Sequence, residues 1–488
     1  MRNVVETDIE TLVQAARDAL VRGDSDAAWQ LSAQALEAGR DYVEVRQFLG
    51  FIARGRRDLD LADTHYAAAL AMAPTDGLLH NNLAEVRHAQ GHVAEALALY
   101  RRAAVLAPDR AEIAGNLGGI LLTLHHPDQA LPHLLRALSM NPDLINVNGD
   151  AGSCLCALNR YPESLQHYRA VYRVEPNNNS ARYLEALALL ALGDFENGWR
   201  KHECRWYASL GQEMRTALPE PYWLGDTAIE GKTILLHAEQ GLGDCLQFVR
   251  YVPMVAERGA RIVLAVQEPL QSLLASMPQV DRVISKGDIV PGYDVQCSLM
   301  SLPRAFRTRL DTIPAAVPYV APSAAHVALW RDRLPPADGR RRIALAWSGT
   351  QTVWNRGIAL ERLRPLLNRP DCVFHVAQTD MLDTDRATLA TLPDMVDHSG
   401  ELTDFSDTAA LLTHMDLVLS VDTVLAHLGG ALARSTWTML PLGADYRWLT
   451  DRTDSPWYPT MRLFRQPALH DWDGVVRAVD AALDALPS

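Results

Sequence analysis

The stretch Gly77–Arg110, GLLHNNLAEVRHAQGHVAEALALYRRAAVLAPDR, runs without a gap into Ala111–Leu144, AEIAGNLGGILLTLHHPDQALPHLLRALSMNPDL, and the two align position for position. Leu83 and Leu117 fall at one place in the first half of each copy, where a large residue would fill the space between two helices. Ala96 and Ala130, then Ala103 and Ala137, fall in the second half, where helices would approach closely. Each copy closes with a proline, Pro108 or Pro142, which has no N–H to donate and so stops a helix. Working outward, Pro74 and Pro176 continue the same 34-residue interval in both directions. Val43–Asp76 is another copy, with Leu49, Gly50, Ala62, Tyr66 and Ala69 in the matching places, and Ile145–Asn178 follows with Tyr161 and Tyr168. Ile9–Tyr42 reads as a degenerate first copy and Asn179–Leu210 as an altered last one, whose Trp199, Trp206 and Tyr207 are expected to pack onto the next domain.

A 34-residue period of paired helices with a closing proline is the tetratricopeptide (TPR) signature. Such pairs stack into an all-α superhelix with a concave binding face and rarely carry chemistry themselves. About six helix pairs are expected over residues 1–212. Asn82 and Asn116 recur at one place in successive first helices, Asp150 takes that place in the next, and Asn81 and Asn148 stand close by. On the concave side these groups would hold the backbone of an extended acceptor peptide or protein; solvation of an open groove is the alternative.

A net charge of −13 argues against general nucleic-acid binding, which needs cations to displace phosphate counterions. Lysine appears only at 201, 232 and 286, so arginine carries nearly all the positive charge. The first residues, MRNVVETDIETL, lack the apolar core of a secretory signal, and no run reaches the ~18 apolar residues of a membrane span. Six cysteines in a chain of 488 residues then fit a reducing, cytoplasmic setting.

From Trp223 the pattern changes to short apolar strands alternating with helices. Strands are expected at 232–238, 261–266, 282–285 and 293–299, with a helix running from the Gly-rich turn EQGLGD through Val255 and another at 269–277. Proline-rich segments at 314–322 and 335–336 flank a helix at 324–333 and read as linkers. A second series follows, with strands at 342–347, 372–378, 395–398, 417–422, 436–440 and 461–465 and a terminal helix at 473–486. Such alternation specifies parallel sheets, hence two Rossmann-like α/β lobes, at 213–335 and 336–488. Ligands sit beyond the carboxyl ends of such strands.

Three motifs fall at those ends. In His237–Asp244, HAEQGLGD, Gln240, Gly241 and Gly243 would let a backbone approach a ligand, and Asp244 is placed to accept a proton from an acceptor hydroxyl. An aspartate at a helix start is equally a helix cap. In SVDTVLAHLGG, from Ser420, a strand leads straight into a helix whose first amides would hold a diphosphate; Thr423 adds a hydroxyl, and Asp422 would bind a ribose or orient His427. A capped helix with a buried histidine is the other reading. In Ala346–Thr350, AWSGT, Ser348, Gly349 and Thr350 suit phosphate approach, Arg356 would neutralise a leaving diphosphate, and Gln378 ends the next strand. Asp58-Leu59-Asp60 and Asp471-Trp472-Asp473 match the metal-binding DxD pattern of other sugar transferases, but read as solvated or capping acids.

Over residues 222–468 the chain resembles TPR-containing bacterial glycosyltransferases whose catalytic half is similar to the ADP-heptose heptosyltransferase family. The likeness is carried by LLHAEQGLGDCLQFVRYVP (235–253), IALAWSG (343–349), DFSDTAALLTHMDLVLSVDTVLAHLGGAL (404–432) and DYRWLTDRTDSPWYPTMRLFRQ (445–466). A more distant similarity is to protein O-GlcNAc transferases. The resemblance implies a GT-B fold and metal-independent sugar transfer from a nucleoside-diphosphate sugar, with no resident cofactor. It implies the nucleotide near Ser348, Gly349, Gln378, Asp422, Thr423 and His427, and the catalytic base at Asp244. The chain departs from the family pattern after Gly349: the family's arginine stands as Arg356, its serine is replaced by Gly357, the loop is shorter, and no lysine is near. That departure leaves room for a non-catalytic scaffold, and the acceptor could also be a glycan or lipopolysaccharide in place of a protein.

Overall fold

The computed structural model describes residues 2–38 (side chains from residue 10), 42–208, 221–285, 288–349 and 356–486. The chain divides into two compact units: Met1–Leu155 with Gln166–Pro176, and Cys156–Leu165 with Asn177–Ser488.

The described part of the first 208 residues is helical. Its pairs are Arg2–Val21 with Ser25–Glu37, Val43–Gly55 with Leu59–Met72, Gly77–Ala89 with Val93–Leu106, Ala111–Thr123 with Pro127–Met140, Ile145–Ala157 with Tyr161–Val174, and Asn179–Ala191 with Phe195–His202. Pro74, Pro108, Pro142 and Pro176 each stand two residues past the end of a second helix. The residue before a proline is pushed out of helical geometry. Accordingly Ala73, Ala107 and Asn141 close their helices at φ −131°, −133° and −143°. Within the first unit, helix partners meet through small-against-large contacts. A Cβ on Gly50 would lie 2.9 Å from the Tyr66 ring, one on Gly118 2.5 Å from Leu134, and one on Gly152 2.5 Å from the Tyr168 ring. Leu83 and Leu117 are buried, as their places in the repeat require.

In the second unit, β1 (Thr233–His237), β2 (Arg261–Val266), β3 (Arg282–Ser285) and β4 (Val295–Ser298) form a parallel sheet in the order β3-β2-β1-β4. β5 (Arg341–Ala346), β6 (Cys372–Val376), β7 (Val396–Asp397), β8 (Leu417–Val421), β9 (Thr436–Leu440) and β10 (Met461–Arg465) form a second parallel sheet in the order β10-β9-β8-β5-β6-β7. β8 and β9 are buried along their whole length and β1 along all but its first residue, which is why they read as continuous apolar runs.

The helix expected from EQGLGD through Val255 is broken. Leu242–Phe248 gives way to a 3₁₀ turn at Val249–Tyr251 before Val252–Ala256. The break seats Arg250, which donates to the Gln247, Trp457 and Pro314 carbonyls and the Tyr319 hydroxyl, with its guanidinium over the Tyr458 ring at 4.5 Å. Of the aromatics expected to pack onto the sheets, Trp199 lies against Phe248, Tyr446 and Trp457, and Trp206 lies near His237. Tyr207, by contrast, remains 55% exposed.

Candidate functional site

The carboxyl ends of β5, β6 and β8 and the helix start after β1 surround one cavity of about 560 Å³ within the second unit. Asp244 stands in the first turn of helix Leu242–Phe248, and its Oδ2 accepts the Gly241 N–H at 2.9 Å. It therefore closes the first turn of its own helix, the cap reading of this residue, and it also lines the cavity. Burial pushes its carboxyl pKa up, and Arg447 opposes that rise by donating to Oδ1. A desolvated carboxylate is a stronger proton acceptor than a solvated one, and its guanidinium partner holds it in place.

Thr423, which also lines the cavity, takes an extended conformation at the N-cap of helix Val424–Ala431, with its hydroxyl 3.0 Å from Ser420 Oγ. Val424 and Leu425, at the positive end of that helix, line the cavity. Gly349 comes so close that a Cβ there would lie 3.1 Å from Thr423 Cγ2. Gln378 braces the turn after β5: its Oε1 accepts the Trp347 and Ser348 N–H groups at 2.9 and 3.2 Å, and its Nε2 donates to Ser348 Oγ at 3.0 Å. His427 is buried, 2.8 Å from the Tyr458 hydroxyl through Nδ1 and stacked on Trp448. Burial first, then Arg447, Arg250 and Arg356, hold its pKa far down, so it stays neutral. A Cβ on Gly243 would meet His427 at 2.8 Å, so this glycine is required where helix Leu242–Phe248 packs on helix Val424–Ala431.

The charges of the site form an alternating row. Asp244 pairs with Arg447, Arg447 with Asp445 at 3.2 Å, Asp445 with Arg356 at 3.0 Å, and Arg356 with Asp422 at 3.5 Å. Asp422 is almost wholly buried, and that burial raises its pKa against the pull of Arg356. Arg447 also donates to Gln247 Oε1 at 2.8 Å. Sequence reasoning assigned no role to Arg447 or Asp445, although both lie in the DYRWLTDR stretch; nothing local marks them as partners of a residue some 200 positions earlier.

Of the expected binding residues, Gly241, Gly243, Asp244, Ser348, Gly349, Arg356, Gln378, Asp422, Thr423 and His427 come together on the cavity. Gln240 is engaged elsewhere: its carbonyl accepts from Gln267 at 2.6 Å, and its side chain bonds Tyr183. Thr350 lies outside the described residues. Behind the turn, Glu239 receives a fork from Arg205 at 2.6 and 3.1 Å and a bond from Ser298 Oγ at 2.6 Å. Burial alone would raise its pKa; Arg205 and these bonds outweigh that and lower it.

In the first unit the asparagine side chains bond one another and Glu85, with Asn82 and Asn116 half-buried. Asn116 Nδ2 donates to Asn81 Oδ1 and Glu85 Oε1, both at 3.0 Å, and Asn81 Nδ2 donates to Glu85 at 2.9 Å and to Asn82 at 3.4 Å. Glu85 is paired with Arg54. Asn148 donates to the Pro142 and Leu144 carbonyls, with its Oδ1 3.1 Å from His167. Asp150 is half-buried near Gly119. Asp58 and Asp471 cap helices, as their alternative reading has it. Among the described residues no helix is long and apolar enough to cross a membrane.

Comparison with known proteins matches tetratricopeptide repeats at residues 75–143 and 151–198. The chain is 25% identical over 338 residues to Protein FlbA of Caulobacter vibrioides, covering 62% of this chain and 54% of that protein. It thus spans about half the length of the curated relative it matches. Similar solved structures include Pseudomonas aeruginosa pilF, at 21% identity and a TM-score of 0.39, covering 44% of this chain and 99% of that one. YrrB, a TPR protein with an unusual peptide-binding site, matches at 18% identity and a TM-score of 0.33, covering 38% and 98%. A thermophilic TPR protein of Thermus thermophilus matches at 20% identity and a TM-score of 0.31, covering 37% and 99%.

Proposed function

We propose that the chain is a glycosyltransferase of GT-B type, which moves a sugar from a nucleoside-diphosphate sugar to an acceptor, a protein recruited by the TPR array. The observation that carries this reading is one cavity lined together by a largely buried carboxylate, Asp244, a helix start at Thr423–Leu425 and a guanidinium at Arg356. In this mechanism Asp244 takes the proton of the acceptor hydroxyl as that oxygen attacks the anomeric carbon in a single displacement. The departing diphosphate is stabilised by the amides of helix Val424–Ala431, the Thr423 hydroxyl and Arg356. Ser348, braced by Gln378, supports the nucleotide side.

A thermal-shift screen of ADP, UDP and GDP, followed by transfer assays with the matching sugars, tests this. A binding nucleotide at a hundredfold over its Kd is expected to stabilise the native state by about 2.7 kcal/mol. Asp244→Ala is expected to abolish transfer while leaving donor binding intact; undiminished turnover removes the assignment. A second reading, a non-catalytic scaffold whose sheets only dock nucleotide, is favoured by the pairing of Asp244 with Arg447, which draws proton affinity from the base. Nucleotide binding without transfer or donor hydrolysis, across a panel of sugars, distinguishes it.

A further inference from the structure

Asp445 is the hinge of the charge row. Its Oδ2 accepts from Arg356 at 3.0 Å, and its Oδ1 meets both Arg447 Nη1 at 3.2 Å and the Arg447 backbone N–H at 3.3 Å. The two other acids of the row are fixed. Asp244 is held by Gly241 N–H and Arg447, and the Asp422 side chain is only 2% exposed. The two guanidinium groups differ in the same way: Arg447 is 7% exposed with four protein partners, whereas Arg356 is 30% exposed and lines the cavity. A phosphate entering at Thr423 thus meets a cation already shared between two carboxylates, Asp445 and the buried Asp422. Like charges side by side on one guanidinium repel.

We propose that Asp445 is a built-in competitor for Arg356, so that a phosphate-bearing ligand binds by displacing the Asp445 carboxylate from that guanidinium, and Asp445 thereby sets the affinity of the cavity for nucleoside diphosphates. The inference rests on the reading of the cavity as a nucleotide site. The exchange transfers one ion pair from an internal carboxylate to an external phosphate and leaves Arg447 to hold Asp445. It makes Asp445 a determinant of affinity for the charged part of the ligand, without effect on the nucleoside.

Calorimetric titration of ADP, UDP and GDP, and of the matching uncharged nucleosides, into the full chain and into Asp445→Asn tests it. Asparagine keeps an oxygen for the Arg447 backbone N–H, and Asp445→Ser is the second variant should the first fail to fold. Asp445→Asn is expected to bind the preferred diphosphate about tenfold tighter, about 1.4 kcal/mol, with nucleoside affinity unchanged. Asp380→Asn, at an exposed cavity-lining acid, controls for net charge and is expected to gain much less. In an Arg356→Gln background the gain from Asp445→Asn is expected to vanish. Diphosphate binding by both proteins with Asp445→Asn no tighter, or an equal gain from Asp380→Asn, overturns the inference alone. Absence of diphosphate binding by every protein in the set overturns the nucleotide reading with it.

Discussion

Asp150 stands where Asn82 and Asn116 stand in the two preceding copies, and the exchange of an amide for an acid has a measurable consequence. Burial pushes its carboxyl pKa up to about 6, and no cation enters among the causes. A carboxyl whose folded pKa is raised holds its proton longer in the native state than in the unfolded one. Its favourable contribution is therefore complete below the ordinary carboxylate pKa of about 4 and is lost as pH rises through about 6. Asp150→Asn is expected to stabilise the chain at neutral pH, with the gain shrinking to nothing near pH 4; urea titrations across that range check it, and a gain independent of pH contradicts it. The row of polar residues was legible in the sequence because it follows the 34-residue period. Its hydrogen bonding was not, because Glu85, which accepts from the amides, is an ordinary i+4 acid, and Arg54, which pairs with Glu85, is a cation from the copy before. Asp244 shows the same limit. Cap and cavity carboxylate are compatible roles, and only the position of Arg447 reveals that both are filled.

The turn between paired helices repeats more faithfully than its residues do. A left-handed residue recurs at 23, 57, 91, 125, 159 and 193, always 34 apart, though glycine fills only three of the six places. The period therefore reaches the degenerate first copy and the altered last one, which residue matching alone leaves blurred. The next residue is the N-cap of the second helix where one is described, and its chemistry varies. Asp24, Asp58 and Asp194 accept a backbone N–H through the side chain, while His92, at φ −80° and ψ 60° close to theirs, makes no such bond. His92→Asp is expected to add a cap worth about 0.5–1 kcal/mol, seen as a higher denaturation midpoint; no gain would mean that the cap geometry of this copy differs from that of its neighbours. Strands β2, β3, β9 and β10 lie where their apolar runs put them; β9 is buried on both faces, and in the others an apolar stretch flanked by polar residues was signal enough. The 3₁₀ break at Val249–Tyr251 left no such trace. It is imposed by distant aromatic and carbonyl partners of Arg250, on segments 314–319 and 457–458.

At the scale of the whole molecule two sequence regimes meet, a 34-residue helical period and an alternation of strand and helix, and each was readable for its own reason: one from repetition, the other from parallel burial. Site residues were readable only as far as they fall at strand ends, where parallel sheets gather ligand contacts. The row of three carboxylates and two guanidinium groups joins residues 244, 356, 422, 445 and 447, and no local pattern connects them. The chain's excess of negative charge persists into this row, which makes anion capture there the most demanding step of the proposed function. A crystal structure of the chain grown with whichever of ADP, UDP or GDP stabilises it most is the most direct test. The diphosphate is expected within hydrogen-bond distance of the amides at Val424–Leu425 and of Arg356, with Asp244 facing its distal end. Nucleotide density outside this cavity, or a diphosphate turned away from the helix start, would contradict a sugar-transfer site there.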